Sequence, residues 1–454
     1  MSYNLLLDTD SYKMSHYLQF PPNTTEMFYY LESRGGRYKE TVFFGLQYIL
    51  KEYLTTKITK PMVEEAAKFA AGHGEPFNKE GWDYIVEELD GMLPLRIKAI
   101  QEGSVVPTSN VLMTVESTDP KCFWLPSYVE TLLLRVWYPT TVATQSWHIK
   151  KIIKEFLDKT ADDPEAEINF KLHDFGARGV SSSESAGIGG MSHLVNFMGS
   201  DTVMGVVYAN RYYKSDMAGF SIPAAEHSTI TSWGRENEVK AFENMLNNFA
   251  KPGALVAVVS DSYDLTNATT KLWGEQLKDK VVNSGATLVV RPDSGHPATI
   301  VLRTLQELES KFGSSYNKKG YRVLNNVRVI QGDGINEESI REILSTAVNA
   351  GFSASNIAFG MGGALLQQVN RDTQKFAYKC SEVTIDGRAV PVFKSPADDK
   401  SKVSKKGRLA LVMTGGKYNT VPADTYGNIL ETVYEDGKIL KEFTLAEVRA
   451  QAGE

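Results

Sequence analysis

Cysteine is almost absent from this chain: Cys122 and Cys380 are the only two in 454 residues, far apart and without CxxC or zinc-type spacing. A disulfide framework and a structural zinc site are therefore excluded, and both residues read as reduced, buried thiols. No apolar run approaches the roughly 18 residues of a membrane span. The triplet Leu5-Leu6-Leu7 is closed at once by Asp8 and Asp10, which leaves no core for a signal peptide. A cytoplasmic location with no membrane partner is expected. Cationic excess is missing too: 49 Lys plus Arg stand against 55 Asp plus Glu, for a formal net charge of −6. A nucleic-acid backbone demands a basic face, so nucleic acid is excluded as the main partner. A small phosphorylated ligand needs only a local cluster of cations and is not excluded. Internal repeats and low-complexity linkers are also lacking.

What remains is ordinary globular composition, 42% hydrophobic and 23% charged, in a chain long enough for two or three domains of roughly 150 residues. Proline is sparse, at 17, whereas glycine reaches 36, much of it in short polar clusters. Residues 1–140 mix β-like runs (Glu26–Leu31, Val111–Val115) with helical patterns. Pro61–Ala71 opens with a proline, and Cys122–Trp137 is apolar nearly all round and reads as buried. Thr144–Leu157 reads as an amphipathic helix.

From about Ile168 the rhythm changes. Apolar strands alternate with helices: Ala254–Val259 then Leu265–Leu277, Ala286–Val290 then Ala298–Phe312, Val327–Ile330 then Asn336–Val348, Asn356–Phe359 then Ala364–Val369. Short continuous apolar strands of this kind are parallel and buried on both faces. The fold class is α/β: an irregular (β/α) barrel over 141–374, with an open doubly wound sheet as the alternative. Residues 1–140 and 375–454 resemble each other more than the middle and are expected to build jointly a second, mixed α+β domain. Leu445–Ala452 reads as its closing helix.

Polar clusters follow each strand. They are His173-Asp174-Phe175-Gly176-Ala177-Arg178-Gly179, Ser260-Asp261-Ser262-Tyr263-Asp264, Arg291-Pro292-Asp293-Ser294-Gly295, Gln331-Gly332-Asp333-Gly334 and Gly360-Met361-Gly362-Gly363. In a parallel barrel these strand ends converge on one mouth, where active sites are built. Any one of them is explained as a turn with a helix cap; all of them together are not. Gly362 and Gly363 precede a helix, where backbone N–H groups suit a phosphate. Arg178, Arg291 and Arg371 suit phosphate or a planar carbonyl, or else surface ion pairs. Asp261, Asp293 and Asp333 suit ribose hydroxyls or a hydrated Mg2+. His227 sits in the small-residue segment Ser221–Thr229, either structural or facing a cavity, with Glu226 beside it as a possible orienting group. Phe175 and Tyr12 are rings able to stack on a flat heteroaromatic ligand or simply to fill a core. The basic stretch Lys394–Arg408 is a solvated loop or a flap over a polyphosphate. Together the clusters point to a phosphorylated sugar.

The segments Thr9–Lys13, His173–Gly179, Gly199–Val203, Pro223–Ile230, Ser260–Asp264, Arg291–Gly295, Ile330–Ile335, Phe359–Gln367 and Ser404–Leu409 resemble, in order and along essentially the whole chain, the nicotinamide phosphoribosyltransferase family of type II phosphoribosyltransferases. The resemblance implies a homodimer with shared active sites. It implies transfer from 5-phosphoribosyl 1-pyrophosphate to nicotinamide, giving nicotinamide mononucleotide and pyrophosphate in NAD salvage. It also implies a requirement for Mg2+ and coupling to ATP through a phosphohistidine. By the same resemblance His227 accepts the phosphate. Phe175 and Tyr12 (from the second subunit) sandwich the pyridine, Asp201 takes the amide NH2 and Arg291 the amide oxygen. Asp293 and Asp333 contact the ribose, with Asp261 and Asp293 near the metal. Gly362 and Gly363 cradle the 5′-phosphate, with Gly332 at the same rim and Arg178 as a phosphate-binding arginine. Arg371, Lys379, Arg34, Lys394 and Lys402 surround the pyrophosphate and nucleotide. Ala377 replaces a frequent serine and Ala177 a tyrosine, departures that bear on phosphate affinity. Nicotinate transfer is the alternative chemistry, and a non-catalytic binding or signalling homologue the alternative class.

Overall fold

The computed structural model describes residues 3–395 and 404–453. Lys402 and the middle of the basic stretch Lys394–Arg408 lie outside the described residues. The chain divides into two compact units. One takes Met1–Thr144, Arg211–Ser215 and Asn370–Glu454; the other takes Gln145–Asn210 and Asp216–Val369.

The first unit is built on a seven-stranded antiparallel sheet to which both ends of the chain contribute. Its order is Arg388–Pro391, Phe376–Ile385, Thr24–Ser33, Val111–Ser117, Leu95–Ala99, Glu431–Glu435 and Lys438–Ile439. Thr24–Ser33 lies between two partners, Tyr29 opposing Cys380 on one side and Val115 on the other. That central place explains why the segment is buried along nearly its whole length instead of alternating. Trp82, Trp124 and Tyr128 pack edge to face beside this sheet, with ring centroids 4.9 to 5.8 Å apart.

Two helical expectations are corrected here. Cys122–Trp137 is not one helix but a 3-10 turn, Pro120–Cys122, and two short helices, Leu125–Tyr128 and Glu130–Leu134. The amphipathic helix begins at Trp137, earlier than expected, and runs 24 residues to Thr160. Proline marks two of these starts: lacking an N–H, Pro126 and Pro139 fit only the first turn of a helix, and they stand in the first turns of Leu125–Tyr128 and Trp137–Thr160. The break between Tyr128 and Glu130 holds no proline.

In the second unit five parallel strands, in the order Leu172–Asp174, Ile357–Met361, Val327–Gln331, Thr287–Arg291 and Leu255–Val259, form a curled sheet. Single parallel bridges carry it round into a ring: Asp174 to Ser200, Gly199 to Phe220, and Ala224 to Ala257. The barrel reading holds, and the irregularity lies in these two bridging segments, each too short to show strand periodicity. Ala257, Val289 and Ile330 form the inner core, with Phe175, Ile222 and Ala358 packed on it. Outside, the helix expected over Leu265–Leu277 is α-helical only from Leu265 to Asn267 and π-helical over Ala268–Gln276. Within it Trp273 lies face to face on Phe242, at 4.4 Å and 6°.

Candidate active site

The polar clusters do meet at one rim, because every strand of the ring points the same way. Phe175 follows the Leu172–Asp174 strand, its backbone N–H donating to Met361 O (2.9 Å). Its ring lies across the neighbouring strand so closely that a Cβ at Gly360 would fall inside the ring's own space. A Cβ at Gly332 would sit 3.4 Å from the same ring and 3.3 Å from Asp293 Oδ1. The glycines of GMGG and QGDG thus make room for an aromatic ring as well as for backbone. At Gly363 a Cβ would meet nothing within 4 Å, so the GMGG turn is open on its outer side. Arg178 and Asp333 are exposed at this rim.

His227 is the first residue of a short helix, His227–Thr231, with Glu226 at its N-cap. Its Nε2 donates to Asp261 Oδ1 at 2.8 Å; Asp261 is 6% exposed whereas the imidazole is 47% exposed. The buried carboxylate fixes the proton on Nε2 and leaves the Nδ1 lone pair free on an accessible ring. Glu226 accepts from Ser228 Oγ (2.6 Å) and does not orient the imidazole. Asp261 is held in turn by the strand end before it: Trp273 Nε1 donates to Ser260 Oγ (3.0 Å), whose hydroxyl donates to Val258 O (3.0 Å). Across the rim Arg291 Nε lies 3.5 Å from Asp293 Oδ1, too far for a hydrogen bond, and is buried without an acceptor. A buried guanidinium N–H with no partner suits a ligand oxygen.

Asp201 stands on the first bridging segment. Its N–H donates to Asp174 O (2.9 Å), and its Oδ1 accepts from Ser221 Oγ (2.5 Å) on the second. His173, Phe175, Asp201, Ser221 and Arg291 line a small cavity here. Burial holds the His173 imidazole below its ordinary range, against the opposing pull of Asp201, so the ring is neutral. Asp174, directly behind, is fully buried. Burial pushes its carboxyl up to about 6, although the Gly176 N–H and the Thr202 hydroxyl pull it back, and its Oδ2 has no well-formed hydrogen bond among the described residues. At the other end of the strands a larger cavity, about 370 Å³, is lined among others by Glu167, Lys171 and Arg328 and reaches inward to His173 and Ile330. Ala358, a small side chain on this lining, leaves part of that space, which strand pattern alone does not announce.

The remaining cations belong to the first unit. Lys379, on the strand Phe376–Ile385, is held below its ordinary range by burial and by the neighbouring Arg34, Lys13 and Arg371, with Glu130 opposing. Arg34, Lys379 and Arg371 therefore form one basic cluster. Lys13 pairs with Glu130, Arg34 Nε donates to Glu32 Oε1 (3.1 Å), and Arg371 lies 3.2 Å from Asp372. Tyr12 is 56% exposed, in edge contact with His16. Lys394 is exposed, and its backbone N–H donates to Ser404 Oγ (2.9 Å). Ala377 is buried in the sheet and Ala177 exposed in a 3-10 turn.

Ser221 and His173 are not legible as site residues in the sequence: a lone serine gives no pattern, and His173 stands out only as part of its cluster.

A curled parallel ring with its polar residues gathered at the C-terminal strand ends defines a type II phosphoribosyltransferase fold. The same architecture occurs in nicotinate-nucleotide pyrophosphorylase from Pyrococcus furiosus, at TM-score 0.63 and 17% identity, covering 100% of this chain and 95% of that one. It occurs also in human nicotinic acid phosphoribosyltransferase, at TM-score 0.57 and 17% identity, covering 98% and 93%. Residues 170–438 match the nicotinate phosphoribosyltransferase (NAPRTase) family, and residues 4–97 match the nicotinamide phosphoribosyltransferase N-terminal domain. Nicotinamide phosphoribosyltransferase of Xanthomonas campestris pv. campestris (strain 8004) is 57% identical over 458 residues, covering 99% of this chain and 98% of that protein. The protein of the same name from Mycoplasma genitalium is 33% identical, covering 89% and 94%. The chain belongs to the nicotinate phosphoribosyltransferase family and is an enzyme of the pentosyltransferase class.

Proposed function

We propose that this enzyme transfers the phosphoribosyl group of 5-phosphoribosyl 1-pyrophosphate to nicotinamide in NAD salvage. The observation that carries the choice of ring is Asp201. A carboxylate on the wall of the small rim cavity attracts an amide NH2 and repels the carboxylate of nicotinate. Phe175, and Tyr12 of a second subunit in a homodimer, would hold the pyridine, with Arg291 on the amide oxygen. The ring nitrogen attacks the anomeric carbon with its own lone pair, the bond to the pyrophosphate oxygen breaks, and pyrophosphate leaves with that pair. Neutral nicotinamide has no proton to give up, so no general base is required. Positive charge grows on the ribose near Asp293 and Asp333. Negative charge grows on the leaving group, for which Arg178 and the Arg34–Lys379–Arg371 cluster, with Lys394 and Lys402, are the cations. Gly332, Gly362 and Gly363 let backbone approach the sugar phosphate.

Mg2+ fits this donor set. It commonly takes one or two carboxylates and keeps phosphate and water oxygens as its other ligands. Asp261 and Asp293 would hold it, and no group of three or more potential protein ligands occurs among the described residues. When bound, the ion offsets charge on the pyrophosphate.

ATP is the co-substrate in this reading. With Nε2–H committed to Asp261, His227 Nδ1 attacks the γ-phosphorus, an N–P bond forms, and ADP leaves with the bridging oxygen. The test is nicotinamide mononucleotide formation with and without ATP, on wild type and His227→Ala. ATP stimulation in wild type and its loss in the variant are expected. No product from wild type overturns the transferase reading, and an ATP-independent wild-type rate overturns the phosphohistidine.

A further inference from the structure

The carboxylate that selects the ring substituent is itself held by a neighbour. Asp201 lies on the bridging segment Gly199–Asp201 and Ser221 on the next, twenty residues later. Parallel bonding sets the two in register: Phe220 N–H donates to Met198 O (2.8 Å) and Ser200 N–H to Phe220 O (3.0 Å). Gly199 lets this pair of segments lie against the barrel, since a Cβ there would come within 2.6 Å of the His173 ring. On the other side the Asp201 N–H is bound to Asp174 O, so the backbone is fixed from one neighbour and the side chain from the other.

We infer that Ser221 is a positioning residue which sets the preference for a ring amide over a ring acid. This rests on the role proposed for Asp201. The Ser221 hydroxyl has one hydrogen, and it is donated to Asp201 Oδ1 at 2.5 Å. Two consequences follow for the cavity that both residues line. The bond draws Oδ1 towards Ser221 and favours one orientation of the carboxylate, which leaves Oδ2, bonded to nothing among the described residues, as the acceptor for an NH2. Ser221 meanwhile presents only lone pairs, so it offers a nicotinate carboxylate no donor. The charge and the committed hydroxyl act in the same direction. A serine beside a carboxylate in a rim loop would otherwise be an ordinary turn contact. Here it joins two neighbouring segments of the ring on the wall of the cavity that Phe175 and Arg291 also line.

The experiment compares wild type, Ser221→Ala, Asp201→Asn and the double variant, measuring kcat and KM for nicotinamide and for nicotinate. Loss of a hydrogen bond to a charged group is expected to raise the nicotinamide KM roughly tenfold in Ser221→Ala. Its kcat is expected to stay within about twofold, and its nicotinate kcat/KM to be unchanged, because the Asp201 charge still repels the acid. In the Asp201→Asn background the same serine change is expected to add little to the nicotinamide KM. A loss equal for both substrates, or a full tenfold penalty repeated in the Asp201→Asn background, overturns the inference. If wild type makes neither mononucleotide, the proposed function fails instead. Calorimetric binding of nicotinamide to wild type and Ser221→Ala then decides the serine on its own, an unchanged affinity counting against it.

Discussion

Asp174 shows how a buried side chain can be set against the stability of its own fold. Its carboxyl is fully buried, with Oδ1 accepting from the Gly176 N–H and Oδ2, near the Thr202 hydroxyl, without a well-formed hydrogen bond among the described residues. Burial pushes it up to about 6 from an ordinary value of 3.8. The folded chain therefore keeps a proton that the unfolded chain has already lost. Stability falls as pH rises from about 4 to about 6 and is level above that. Asp174→Asn keeps the acceptor for Gly176 and removes the penalty. It is expected to be more stable than wild type at pH 7 by about 2–3 kcal/mol and no different at pH 3.5. Melting temperatures of both proteins across pH 3.5–7.5 check this, and a difference that does not change with pH refutes it. The residue stays acidic at a place where asparagine would fold better. Its neighbours Phe175 and Asp201 line the ring cavity, which ties the cost to the site. The His227–Asp261 pair is a contrasting case: a buried acceptor leaves the ring's other nitrogen accessible.

At the level of elements, glycine decides how closely two pieces of chain approach. The helices Ser183–His193 and Val203–Tyr212 cross at Gly190 and Gly205, where a Cβ on Gly190 would stand 2.7 Å from Gly205 Cα. Gly205→Ala pushes backbone against backbone and is expected to cost about 1–3 kcal/mol. Gly72, exposed near the end of the helix Lys60–His73 with nothing within 4 Å of its Cβ position, is the control. There alanine is expected to stabilise by about 0.5–1 kcal/mol. Opposite shifts in melting temperature meet the expectation; equal shifts do not. Proline acts at the same scale through the N–H it lacks. Pro126 interrupts the apolar run Cys122–Trp137, which sequence periodicity alone reads as continuous, and Pro139 stands in the first turn of the helix that follows it.

At the scale of the whole molecule, the acidic balance of −6 coexists with cations gathered as Arg34, Lys379 and Arg371 in one unit. A homodimer with shared sites makes a prediction that only the assembly can satisfy. Phe175→Ala and Tyr12→Ala should each be inactive as homodimers. Mixed and allowed to exchange subunits, they should recover about a quarter of wild-type activity, since half the dimers are then mixed and carry one intact site of two. No recovery after confirmed exchange excludes supply of Tyr12 by the second subunit.

The sequence alone determined that the middle of the chain is a parallel α/β sheet, because its strands are continuous β-branched runs and its helices amphipathic; it favoured a barrel and left an open sheet as the alternative. It also placed Phe175, Asp261, Arg291, Asp293, Gly332 and Gly362 at strand ends, since that position follows from chain order. Other features needed the tertiary structure. Gly199–Asp201 and Phe220–Ala224 close the ring through single bridges, too short to carry any period. That Asp261, and not the adjacent Glu226, holds His227 depends on which strand end comes to lie beside the Glu226–Thr231 turn. Likewise the Ser221–Asp201 bond, across a separation of twenty residues, exists only because two parallel segments share a register. Local periodicity records which faces of an element are apolar. Which two polar atoms finish 2.5 Å apart is decided by the closure of the ring.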